Sequence, residues 1–117
     1  MSEDIEKVIL REDQDGYIEF FFPERYVGVR NNIYMECFTF SDGHGECCYE
    51  YYKETKPLSP ELEQRAEKAI ADYEHLYDCK LERIYRDTSR LKRMRFIGNR
   101  ANSQYIRNYH KTVTVSS

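Results

Sequence analysis

Residues 59–98, SPELEQRAEKAIADYEHLYDCKLERIYRDTSRLKRMRFIG, decide the fold. Ser59 followed by Pro60 and Glu61 has the chemistry of a helix start: a hydroxyl to cap a free N–H, a proline in the first turn, and an acid near the positive end of the helix dipole. Ala66, Ile70, Tyr73, Tyr77, Leu81, Ile84, Thr88 and Leu91 then recur at intervals of three or four residues, which draws one apolar stripe. The spacing predicts one long amphipathic, basic helix over 59–97, which unbroken to about Arg95 would be ~35 residues and ~50 Å long. Asp87-Thr88-Ser89 offers a second cap at which such a helix can break, and Gly98-Asn99 ends it.

Upstream, residues 7–54 read as strands. Val8 to Arg11 and Tyr17 to Phe22 flank the turn cluster Asp13-Gln14-Asp15-Gly16, and Pro23 closes the second strand. A second hairpin runs from Ile33 to Phe40 and from Glu46 to Tyr52 around Ser41-Asp42-Gly43-His44-Gly45. A two-residue turn at Asp42-Gly43 sets Cys37 opposite Cys48, and a longer loop moves that pairing by one. The fold class that follows is α+β. An N-terminal antiparallel sheet of about four strands, made of two hairpins, packs on the long basic helix and is followed by a short basic C-terminal tail over 98–117.

Composition narrows the class further. A length of 117 residues fits a single domain spanning 1–117. Aromatic residues make up 15%, which separates the chain from disordered sequences of similar charge. Glu3, Asp4, Glu6, Glu12, Asp13, Asp15, Glu19 and Glu24 are incompatible with a signal peptide, and no apolar run reaches the ~18 residues of a membrane span. A cytoplasmic protein with reduced cysteines and no membrane contact is expected. Phe20-Phe21-Phe22 and Tyr49, Tyr51 and Tyr52 are apolar toward both faces of their strands. One helix covers one face, so a homo-oligomer is also expected.

Charge is divided along the chain. Residues 1–79 hold 8 Lys+Arg against 19 Asp+Glu, net −11, whereas residues 80–117 hold 10 against 2, net +8. On a helix, Arg83, Arg86, Arg90 and Arg93 fall within about 80° of arc and form a ridge opposite the apolar stripe. Lys80, Lys92, Arg95 and Arg100 widen it, and the tail interleaves Arg107 and Lys111 with Tyr105, Tyr109 and His110. Guanidinium forks suit phosphate and aromatic rings suit unstacked bases, as on RNA- and DNA-binding surfaces. The same arginines can instead meet a partner's acidic surface or the chain's own acidic half.

The acidic half offers the mirror image. Glu12, Asp13 and Asp15 cluster at one hairpin tip, and Glu36, Asp42, Glu46, Glu50 and Glu54 decorate the second hairpin, where they can imitate phosphates toward a basic groove. In size and charge the chain resembles small phage- or plasmid-borne inhibitors of nucleic-acid machines, anti-CRISPR proteins among them, a likeness of class that no motif carries. It implies a non-catalytic interaction protein, encoded by a phage or mobile element, that binds and inhibits a nucleic-acid-processing complex. The alternative is a module that binds RNA or DNA directly through the arginines, with Tyr105, Tyr109 or Phe96 stacking on bases.

Chemistry beyond binding finds little support. His75 and Cys79 are four residues apart on a helix, but Cys37, His44, Cys47 and Cys48 supply no second ligand pair at zinc spacing, so neither metal nor cofactor is expected. His44 between Asp42 and Glu46 has the makings of a general base. No nucleophile, oxyanion donor or phosphate loop accompanies it, so no enzyme is expected.

Overall fold

The computed structural model describes residues 4–25 and 34–94. Two hairpins are present. β1 (Ile5–Glu12) pairs antiparallel with β2 (Ile18–Phe22), and β3 (Tyr34–Thr39) pairs antiparallel with β4 (Gly43–Cys48). The first turn is organised by Asp13, whose Oδ1 accepts hydrogen bonds from the backbone N–H of Asp15 and Tyr17, both at 2.9 Å. Gly16 supplies the positive φ of 84° that this turn requires.

In the second turn the Thr39 hydroxyl accepts from Asp42 N at 3.1 Å, and Gly43 takes φ 77°. Thr39 therefore pairs with Gly43 and Cys37 with Gly45, so neither register expected for the cysteines is adopted. The expected second arm also ends early. Residues beyond Cys48 form a short helix, α1 (Tyr49–Glu54), which turns Tyr49 and Tyr52 together into the core.

The helix expected over 59–97 is replaced by several elements. α2 (Pro60–Glu63) starts as anticipated, with the Ser59 hydroxyl accepting from Leu62 N at 3.4 Å. α3 (Ala66–Tyr77) is the long helix, and it ends at Asp78, whose left-handed φ of 51° is a conformation that Asp tolerates better than most residues. Leu81 N donates to the Glu74 carboxylate at 2.7 Å, and the chain enters the sheet as β5 (Lys80–Arg83), parallel to β1. Leu81 and Ile84 fit the three-residue interval of a helical stripe, but Leu81 and Arg83 half-buried between exposed Lys80 and Glu82 is a strand pattern. α3 is not basic either, carrying Glu67, Asp72 and Glu74 against Lys68.

The result is a mixed five-stranded sheet of order β4-β3-β2-β1-β5, mostly antiparallel, packed against α3. Its faces are distinct. Phe20 and Phe22 join Val8, Leu10, Phe38, Ala66 and Tyr73 under α3. Phe21 joins Ile9, Met35, Cys37, Cys47, Tyr49, Tyr52, Leu91 and Met94 on the other side, beneath α1 and the helical residues 89–94. Phe20, Phe21 and Phe22 are each fully buried, worth about 1.5–3 kcal/mol apiece. The aromatic run is thus covered on both faces within one chain, and the bare apolar face that argued for self-association is filled. Among the described residues no helix is long and apolar enough to cross a membrane.

Candidate nucleic-acid interface

Because β5 interrupts the expected helix, the four ridge arginines are distributed rather than aligned. Arg83, at the end of β5, reaches across to α2, where its Nη1 and Nη2 donate to the Glu63 carboxylate. This pairing raises the arginine's pKa and lowers that of Glu63. Beyond Arg83 the chain turns under the sheet. Ile84 N still donates to Val8 O at 2.9 Å, and Thr88 then caps the next helical segment, its hydroxyl accepting from Leu91 N at 3.1 Å.

In residues 89–94 the buried side chains are Arg90, Leu91 and Met94, which leaves Lys92 and Arg93 on the outer face. Arg90 is only 6% exposed and donates to Pro23 O at 2.5 Å and to Tyr34 O at 3.3 Å. It ties the segment to the ends of β2 and β3.

Three of the four arginines nevertheless meet. Arg86, Arg90 and Arg93 line one groove of about 650 Å³ with Lys7, the exposed Tyr85, and the carboxylates of Glu24 and Asp87. Asp87 is drawn toward the core by the Tyr52 hydroxyl at 3.5 Å, and burial beside Asp87 pushes Tyr52 up to about 12. Among the described residues no ion pair holds Lys7, Arg86, Lys92 or Arg93. Arg95, Arg100, Tyr105 and Arg107, also expected at the site, lie outside the described residues, as do Phe96, Tyr109, His110 and Lys111. Tyr85 was not singled out by spacing, although an aromatic between Arg83 and Arg86 is a legible signal.

The acidic residues collect at the hairpin-tip end of the sheet. Gly43 and Gly45 leave a gap on the sheet face, forming a hollow of about 280 Å³ rimmed by Asp13, Asp15, Asp42 and Glu54. Glu19 forms its wall at 4% exposure and accepts from the Tyr51 hydroxyl at 2.6 Å. Burial raises its pKa, and hydrogen bonds from Tyr51 and Cys37 oppose the rise.

Of Glu36, Asp42, Glu46 and Glu50, Asp42 alone lines this hollow. Glu36 is bound to Arg25, whereas Glu46 and Glu50 are simply exposed. Glu12 is also committed elsewhere, accepting from Ser59 N at 3.0 Å, which lowers its pKa.

His44 is held against the aromatic cluster under α3, and Cys37 and Cys47 are buried. His44 Nε2 pairs with the Tyr73 hydroxyl at 2.8 Å, and its ring lies against Phe38 and Tyr77. The same hydroxyl accepts from Arg25 at 3.3 Å, and Arg25 is bound to Glu6 at 2.5 and 2.7 Å. Burial works against the Arg25 charge, and the bonds to Glu6 and Glu36 overcome it and raise the pKa. Cys47 is held as a thiol by its hydrogen bond to Cys37 and by burial. Cys79 is likewise shifted up by burial. Among the described residues no group of three or more His, Cys, Asp or Glu is placed to hold a metal ion. No family model, curated protein or solved structure matches this chain.

Proposed function

We propose that this protein is a non-catalytic binding module for nucleic acid, contacted through the groove of Lys7, Arg86 and Arg93. The observation that carries the reading is that these cations line one groove while no ion pair among the described residues occupies them. The test is oligonucleotide affinity as a function of salt. Three neutralised phosphates on a single strand give a log-log slope of about −2 from the groove alone. Arg86→Glu with Arg93→Glu should flatten that slope and weaken binding by at least tenfold, and unchanged binding in the double variant overturns the reading.

The acidic hollow supports a second reading, in which its rim engages a basic surface on a protein of a nucleic-acid-processing complex and inhibits it. There, Asp13→Lys with Asp42→Lys abolishes association and the arginine variants leave it intact.

A further inference from the structure

Lys7, Arg86 and Arg93 explain attraction to any polyanion, but they do not explain Tyr85. Its side chain is 77% exposed, the most exposed of the large hydrophobic residues described. One face of the ring is already occupied, with the Arg83 guanidinium carbon 4.6 Å from the ring centroid. Arg83 is itself fixed by its fork on Glu63 and is 15% exposed in its side chain. Tyr85 therefore sits on a cation paired with Glu63, and it also lines the groove.

We infer that the open face of Tyr85 is a stacking platform for an unpaired nucleobase, so that the groove takes single-stranded nucleic acid in preference to duplex. This rests on the reading that the groove binds nucleic acid, and it adds which form is bound. A duplex keeps its base faces in its own stack and can offer the groove only phosphates, whereas a single strand offers both. The backing cation strengthens the arrangement, because guanidinium–ring contact and base stacking use opposite faces of one ring. The groove is large enough for a nucleotide beside the ring, with Arg86 and Arg93 placed for the phosphates that follow.

The experiment uses the full chain and three probes: a mixed-sequence single-stranded oligonucleotide, the same sequence as a duplex, and heparin, a polyanion without bases. The single strand should bind more tightly than the duplex. Tyr85→Ala should weaken the single strand by about 5- to 100-fold, leave heparin unchanged and bring single strand and duplex to similar affinities. Tyr85→Trp should retain single-strand binding. Photo-crosslinking to a 5-bromouridine oligonucleotide should place the adduct on Tyr85.

Wild-type affinity of Tyr85→Ala for the single strand, or an equal loss toward heparin, overturns the platform. A wild-type protein that prefers duplex also overturns it, while groove binding of nucleic acid stands. Failure of Arg86→Glu with Arg93→Glu to weaken any probe overturns the groove reading itself, as does wild-type protein that binds no oligonucleotide.

Discussion

Arg90 separates the helical-ridge expectation from the observed architecture, because the first makes it a ligand-binding residue and the second a structural one. Arg90→Ala removes donors to Pro23 O and Tyr34 O from a side chain 6% exposed. A hydrogen bond involving a charged group contributes about 1.5–3 kcal/mol. Water can reach part of the vacated space, so the expected loss is about 3 kcal/mol rather than the full sum. For a chain of this size that lowers Tm by roughly 10 °C and moves the urea midpoint by roughly 1.5 M at unchanged m. Arg90→Lys keeps the charge without the fork, and about half the loss should remain. The assay is urea unfolding followed by circular dichroism, with oligonucleotide affinity measured under conditions where the variant is folded. Stability within 0.5 kcal/mol of wild type, combined with a tenfold loss of affinity, would falsify the structural assignment of Arg90 and restore it to the binding surface.

Other consequences can be checked independently. Burial raises the Glu19 pKa in the folded state, so the folded chain holds that proton more tightly and Glu19 costs stability at neutral pH. Glu19→Gln should be at least as stable as wild type at pH 7, with the difference shrinking as pH falls through the raised value toward the ordinary 4.5; a gap that grows on acidification refutes the sign. Glu63, lowered by Arg83, has the opposite dependence. The pair's contribution is present at neutral pH and lost as pH falls through the lowered value, and with Glu63 49% exposed it should stay below about 1 kcal/mol in a double-mutant cycle. Gly43→Ala forces an L side chain to φ 77° and should cost about 1 kcal/mol, whereas at Gly45 a Cβ meets Cys37 Sγ at an ordinary 3.8 Å and Gly45→Ala should fall within 0.5 kcal/mol. Tyr73→Phe removes the hydroxyl shared by His44 and Arg25 and should cost about 1–2 kcal/mol in urea unfolding.

Local chemistry made parts of this fold legible in the sequence. Ser59-Pro60-Glu61 starts α2 as capping rules require, and Asp13 with Gly16 closes the first hairpin. Periodicity failed at Leu81 and Ile84, since an interval of three fits a helical stripe while alternation with Lys80 and Glu82 fits a strand. The pairing of β5 with β1, a contact of long sequence separation, decided between them. The site suffered from the same ambiguity. The arginines were recognisable as a group, but their arrangement depended on where the helix ended, and Asp78 in the left-handed region ended it well before them. Glu19 could not be distinguished from the other acids, because its burial and its hydrogen bond from the Tyr51 hydroxyl depend on where α1 folds against the sheet.

The structure also bears on whether the acidic and basic halves neutralise each other. Arg83 on Glu63 joins them, but Arg25, Lys56 and Lys68 pair with acids of their own half, and Arg86, Lys92 and Arg93 hold no such pair among the described residues. Distance reinforces the separation. Lys7 sits near the start of β1 and Asp13 just past its end, so about 20 Å of extended strand lies between the groove and the hollow. This exceeds the Debye length of about 8 Å at physiological salt, where the two ends act independently. At low salt the screening length grows past that spacing, and the hollow should then repel a polyanion approaching the groove. Binding curves taken across salt should therefore flatten at the low end instead of following one straight log-log line. Asp13→Asn with Asp15→Asn should straighten them without altering affinity at physiological salt.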